Sequence, residues 1–306
     1  MGNIFYFNWE PSLMVWMQNL LGNVGGNVAT YVTMLGEEMV MVAVLGFIYW
    51  CYDKQFGVYV GTNLMVGMVA NPMIKNIFLR YRPYMVHPEV KCLKPIHDGD
   101  IYDPLLQGYS FPSGHSSNSS AMYFSLPVYA KKKWLWAVGI MVPFLVGLSR
   151  VCLGVHYPTD VMVGWILGAV VVVSITFLQK KIQTKWKLYL LITILTVPGW
   201  FYCTSNDYFT SFGMMMGFFG ASLFEEKYVK FENTRDVKKA ILRVAGGLVV
   251  FLLGNVILKA VFGLIHAEEL GYLLRVLRYA VLVFVTMGVY PYVFRCKKGF
   301  LVRKIM

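Results

Sequence analysis

Long apolar runs, broken by short charged blocks, dominate the chain from residue 37 onward. Read at the length needed to cross a bilayer core, about 20 residues per helix, they predict spans near 37–52, 56–79, 114–130, 134–152, 158–178, 187–203, 209–224, 239–264 and 273–294. The first and seventh are short and fit only a thinned or closely packed setting. Upstream, residues 10–35 are mildly apolar and interrupted by Gly22, Gly25 and Gly26. That pattern predicts a helix lying at the interface, or a re-entrant segment, instead of a full span. The fold class expected is all-α, a polytopic membrane helical bundle of about nine transmembrane helices. Three parts are expected: an N-terminal segment 1–36, a membrane core 37–178 and accessory C-terminal helices 179–306.

Composition sharpens the class. Of the 306 residues, 57% are hydrophobic and only 14% charged, against about 25% charged in soluble domains. The net charge of +12 invites nucleic acid as a partner. Its distribution argues against that, since no basic stripe with interleaved aromatics is present. Lysines and arginines instead sit in blocks at 131–133, 180–187, 227–243 and 295–304, with Lys54 on the same side of the predicted membrane. The positive-inside rule makes that side cytoplasmic. The long segment 80–112, the turn 150–157 and segments 204–208 and 265–272 then face outward. The five cysteines (Cys51, Cys92, Cys152, Cys203, Cys296) have no paired spacing, so neither a disulfide framework nor a zinc site is expected. The N-terminus has no basic region of the kind that precedes a cleaved leader, and none is expected.

The outward turns carry the candidate chemistry. His115 and His156 each stand at the mouth of an apolar span, and Pro158 suits the first position of the helix that follows. Asp160 lies four residues beyond His156, within reach of its ring. A carboxylate on one ring nitrogen fixes the tautomer and leaves the other nitrogen nucleophilic. His115 is free to act as a general acid, because imidazole titrates near neutrality. Lys75, Arg82 and Arg150 end three apolar segments at the same membrane face. Three cations there are costly unless they surround an anion, and phosphoryl transfer needs such charges about its equatorial oxygens. Ser113 and Gly114 add a hydroxyl and a close backbone N–H at a helix start, a ready anion site. In the outward segment, His87, His97, Asp98, Asp100 and Asp103 are spaced irregularly for metal ligands. They are read as a solvated loop that could gate entry. Glu37 and Glu38 are read as favourable charges at a helix start.

These segments spell K-x6-R-P from Lys75 to Pro83, P-S-G-H from Pro112 to His115, and S-R-x5-H-x3-D from Ser149 to Asp160. Together they resemble the signature of the type-2 phosphatidic acid phosphatase family, with every position filled, over about residues 37–178. Beyond that stretch there is only a general likeness to nine-span relatives such as glucose-6-phosphatase. The resemblance implies that His156 is the nucleophile, Asp160 its orienting carboxylate and His115 the general acid. It implies that Lys75, Arg82, Ser113, Gly114 and Arg150 cradle phosphate, and that neither metal nor cofactor is needed. The implied reaction is hydrolysis of a lipid-linked phosphomonoester or pyrophosphate, such as undecaprenyl pyrophosphate, phosphatidic acid or phosphatidylglycerol phosphate. A lipid phosphotransferase using the same histidine, a sugar-phosphate phosphatase and a non-catalytic lipid binder are the alternatives. The expected partners are that lipid substrate and the surrounding lipids, and the expected location is a bacterial plasma membrane with the site facing outward.

Overall fold

A computed structural model describes residues 2–94, 99–265 and 270–295. Helix α1 (Trp9–Thr33) breaks at Gly22, and a turn at Met34–Gly36 leads to α2 (Glu38–Phe47). There follow α3 (Lys54–Phe78), the short α4 (Pro83–Val86) and α5 (Pro104–Gln107), α6 (Gly114–Ala130), α7 (Leu135–Cys152) and α8 (Pro158–Lys181). The chain continues through α9 (Lys185–Thr196), α10 (Asn206–Phe224), α11 (Val237–Gly263) and α12 (Gly271–Phe284). Among the described residues, extended pairing is confined to an isolated bridge between Asn3 and Arg80.

Each predicted apolar stretch falls on a helix, but the count of nine spans is not reached. Among the described residues, four helical stretches are long and apolar enough to cross a membrane: Leu135–Cys152, Pro158–Lys181, Val237–Gly263 and Gly271–Phe294. The bent pair Val24–Gly36 and Glu38–Tyr52, 45° apart, makes a fifth if it is one broken span. The physical reason is polarity and length. Helix α3 carries Thr62, Asn63, Asn71 and Lys75 at buried positions. Helix α6 has 17 residues with five serines, α9 has 12 residues, and α10 opens on Asn206 and Asp207 and carries three glycines.

The chain divides into two compact units, residues 1–42 with 59–212 and residues 43–58 with 213–306. In the first, α6 packs against α7 and α8, and α1 against α7. A Cβ on Gly168 of α8 would lie 2.4 Å from the Ser120 Cβ and 2.7 Å from the Ala121 backbone nitrogen. Only a small residue lets α6 and α8 approach so closely, the usual way helices associate where apolar burial gives no drive. Five serines of α6 are buried, and three of them return a hydroxyl to a carbonyl of their own helix. In the second unit, Lys54 pairs with Glu225 at 2.6 Å. An open apolar groove of about 920 Å³ runs beside α11, lined by Phe47, Cys51, Ile241, Val244 and Leu248 among others.

Candidate active site

The first unit gathers its polar groups at one set of helix ends. Helices α3 and α7 end there, with Lys75 and Arg150 in their last turns, while α6 and α8 begin there at Ser113 and Tyr157. The opposite ends carry Lys54, Lys131–Lys133, Lys180 and Lys181. The sequence-predicted site residues thus lie together at the ends away from those basic blocks.

Local geometry explains each placement. After α3, Leu79 takes φ +51° and the chain turns, its backbone N–H bonding the Lys75 carbonyl at 3.0 Å. Arg82 then caps α4, whose first residue is Pro83. The Arg82 guanidinium donates to the carbonyls of Gln107 (2.6 Å), Gly108 (3.0 Å) and Val155 (3.1 Å). It is thereby fixed between the end of α5 and the turn before α8. Burial, ahead of any neighbour, lowers its affinity for its proton. Arg150, 1% exposed, donates from Nη1 to the Thr33 hydroxyl at 2.9 Å. Its buried Nε has no hydrogen-bond partner among the described residues. A buried orphan N–H on a guanidinium is costly unless an anion completes it. The charges of Asp207, Arg82, Asp160 and Arg150 all reach Lys75.

Ser113 is the N-cap of α6. Its hydroxyl accepts from the Ser116 Oγ at 2.9 Å and, more weakly, from the Ser116 N–H at 3.4 Å, while its own N–H bonds the Asp160 carbonyl. The N–H groups of Gly114 and His115 have no helix carbonyl to reach, as at any helix start. Asn71 of α3 clamps this start by donating to the Pro112 carbonyl (3.2 Å) and the Ser117 hydroxyl (3.0 Å). His115 stands against the turn after α1, its Cβ about 3.5 Å from where a Cβ on Gly36 would lie. The charges of Arg150, Lys94 and Arg82 reach its ring.

His156, 2% exposed, sits in the turn between α7 and α8. Gly154 makes that turn with φ +76°, and a side chain there would run into the Lys91 carbonyl. Asp160 occupies the first turn of α8 and is fully buried. Its Oδ1 accepts from Arg80 at 2.6 Å, and its Oδ2 accepts from the Tyr157 N–H at 2.8 Å and from the Ser110 hydroxyl. The expected direct bond from His156 to Asp160 is stretched, with Nδ1 to Oδ2 at 3.6 Å. Ser110 lies between them, its Oγ 3.3 Å from the His156 Nδ1.

This relay fixes the tautomer. The single Ser110 proton goes to Asp160, so its oxygen can only accept from His156. Nδ1 then carries the ring hydrogen and Nε2 keeps its lone pair. The imidazole is held well below the ordinary histidine range, first by burial and then by Arg82, Arg150 and Lys75. A neutral ring with an open Nε2 among cations can attack an electron-poor phosphorus.

Several participants escaped the sequence reading. Ser110, Asn71, Arg80, Thr33 and Lys94 belong to no local pattern that marks them, although Arg80 lies inside K-x6-R-P. Glu37 does more than open a helix, since its charge also reaches Arg150 and Lys94. In the segment between α4 and α6, His97 and Asp98 lie outside the described residues. His87 packs edge-on to Tyr6 and Tyr157 and lies 3.6 Å from Glu89. Asp100 accepts from the Tyr102 N–H. Cys296, Lys297, Lys298, Arg303 and Lys304 also fall outside the described residues.

Comparison with known proteins places residues 56–185 in the PAP2 superfamily. Residues 209–298 match the PAP2 superfamily phosphatase, transmembrane extension. The chain is 28% identical over 155 residues to an undecaprenyl-diphosphatase of Sulfolobus acidocaldarius, spanning 50% of this chain and 68% of that one. It is 30% identical over 167 residues to a decaprenylphosphoryl-5-phosphoribose phosphatase of Mycobacterium tuberculosis, 53% of this chain and 86% of the relative. Phosphatidylglycerophosphatase B of Bacillus subtilis is 38% identical over 84 residues, 24% and 41% of the two chains.

Proposed function

The chain belongs to the PAP2 superfamily, and from that premise we propose that this integral membrane phosphatase hydrolyses a lipid-linked phosphomonoester or pyrophosphate through a phosphohistidine at His156. The observation that carries the reading is the buried His156 ring, backed by Ser110 and Asp160 and within reach of the charges of Arg82, Arg150 and Lys75.

The steps follow from those groups. The substrate phosphate enters the charges of Lys75, Arg82 and Arg150, with the N–H groups of Gly114 and His115 at its edge. The His156 Nε2 attacks phosphorus and the bond to the leaving oxygen breaks, its electron pair taken up with a proton from His115. The phosphate's negative charge offsets the nearby guanidiniums and supports that proton on His115. The growing positive charge on the His156 ring passes through Nδ1–H to Ser110 and Asp160. Water then gives its proton to His115 and its oxygen to phosphorus, the P–N bond breaks, and inorganic phosphate leaves. The guanidiniums and the lysine supply the charge that the transition state needs.

A diphosphate is favoured over a monoester. Lys94 stands near Arg150 and Arg82, where a second phosphate would find a cation. Two of the relatives above act, by name, on polyprenyl-linked phosphates. The basic blocks at the opposite helix ends support a site facing the outside of a bacterial plasma membrane. The test is phosphate release by purified protein, with and without EDTA, from undecaprenyl pyrophosphate, phosphatidic acid, phosphatidylglycerol phosphate and glucose 6-phosphate. Release by wild type that is lost in His156→Ala, with undecaprenyl pyrophosphate turned over fastest, is the expected result. Background release by both proteins on every substrate would overturn the reading.

A further inference from the structure

Behind Asp160 lies a second carboxylate that phosphate chemistry does not require. Glu10, in the first turn of α1, is 0% exposed. Its Oε1 accepts from the Thr159 N–H (3.0 Å) and hydroxyl (2.7 Å). Its Oε2 accepts from the Phe7 N–H (2.9 Å) and from Arg80 Nη2 (3.0 Å). Arg80, 1% exposed, divides its fork, giving Nη1 to Asp160 at 2.6 Å and to Thr159 at 2.8 Å. Its guanidinium carbon lies 3.8 Å from the Tyr157 ring centre and 4.6 Å from that of Phe5. The N-terminal residues are tied to the same place, with Asn3 exchanging backbone bonds with Leu79 and Tyr81 at 2.8 and 3.0 Å. Glu10 precedes residue 56, where the family match begins, so that match assigns it nothing.

Two buried carboxylates and one guanidinium leave one negative charge, and burying it is costly unless it meets a cation. An arginine usually places both arms on one carboxylate. Here Glu10 draws one arm away, so Asp160 is only partly neutralised at Oδ1. Its Oδ2, on the Ser110 and His156 side, retains more charge. Groups that orient and charge a functional side chain in this way change activity by about 10–100-fold where they support metal ligands, and the same order is expected here.

We propose that Glu10 and Arg80 are positioning residues that orient the Asp160 carboxylate and keep it electron-rich toward His156, making the N-terminal segment part of the catalytic apparatus. The inference rests on the reading of His156 as nucleophile.

The test compares Glu10→Gln, Glu10→Asp and Arg80→Lys with wild type in detergent on undecaprenyl pyrophosphate, with kinetics read on the monodisperse fraction. Glu10→Gln keeps the size and the acceptor but loses the charge. It is expected to lower kcat about tenfold and leave KM within about twofold, because neither residue touches substrate. It is also expected to move the acid limb of kcat/KM down by about half a pH unit, since less negative charge reaches the His156 ring. The other groups facing that ring (Lys75, Arg82, Arg150, His115, Ser110) are unchanged, so the limb reports this chain alone. Glu10→Asp is expected to restore the limb. Arg80→Lys, which cannot fork between two carboxylates, is expected to lose about 100-fold in kcat. A residue that merely held the fold would lower the active fraction and leave limb and KM where they were. Wild-type kcat and limb in Glu10→Gln, with His156→Ala inactive, would overturn the inference and leave the phosphatase reading standing. If Glu10→Gln does not fold, Arg80→Lys decides, and a wild-type rate there overturns the inference. Wild type inactive on every substrate would instead overturn the reading beneath it.

Discussion

Helix α6 in the first unit and helix α11 in the second use polarity in opposite ways. Over its 17 residues α6 buries ten, among them four consecutive-turn serines, Ser116, Ser117, Ser119 and Ser120. Over its 27 residues α11 buries only Gly247 and Phe251, leaving Leu253, Val256 and Ile257 more than half exposed. In a soluble protein the apolar helix would be inside. Here lipid receives the apolar one and the bundle interior receives the polar one, because hydroxyls and amides need protein partners that hydrocarbon cannot give. The candidate site follows polarity, gathered at the start of α6.

The contrast is broken if the two helices respond alike to comparable changes. Arg150→Met, removing a cation beside the α6 N-terminus, is expected to lower kcat/KM by 10²–10³-fold, about the cost of removing one transition-state donor. Lys239→Met, in the first turn of α11, is expected to stay within about twofold in the same phosphate-release assay. Gly168→Val should force α6 and α8 apart, costing roughly 1–3 kcal/mol as overpacking does and lowering Tm. Gly263→Ala, whose added carbon meets nothing within 4 Å, should leave Tm unchanged or slightly raised. A lower Tm in Gly263→Ala than in Gly168→Val would reverse the assignment of inside and outside.

The pH response sharpens it further. His156 lies outside the spanning segments and is held well below 6.5 by burial, then by Arg82, Arg150 and Lys75. The acid limb of kcat/KM, which reports the free enzyme, should therefore fall below pH 6.5. The stability sign is the same. Below about 6.5 the unfolded chain binds this proton more readily than the folded one, so stability falls as pH drops from there toward the folded value. A limb at or above 6.5 would mean a solvated ring. The smallest effect is expected from Lys94→Gln, a rim charge worth about 0.5–1 kcal/mol. It should raise KM for the diphosphate about three- to fivefold and KM for phosphatidic acid less, in parallel assays.

The residues that the sequence proposes for the site come together in the structure, for physical reasons. His115, His156, Asp160 and the three cations sit in compact runs whose spacing is set by single helix turns, so a one-dimensional reading finds them. Ser110 and Asn71 act through contacts 46 and 41 residues away and carry no local signal. Glu10 lies in the segment expected to be interfacial or re-entrant, and its pairing with Arg80, 70 residues away, carries no local signal either. Hydropathy located the helices to within a few residues. The count of nine is not confirmed, because among the described residues α3, α6, α9 and α10 fall short of a spanning helix in length or apolar character. Whether a Met or Phe faces lipid or a neighbouring helix is decided by packing, which hydropathy does not register.

The most direct measurement is an acid- and alkali-quench experiment with substrate labelled with ³²P at the terminal phosphate. The account predicts label on wild-type protein that survives alkali and is lost in acid, as a phosphoramidate should be, and no label on His156→Ala. Label that persists at the same level in His156→Ala, or hydrolysis by that variant at the wild-type rate, would contradict it.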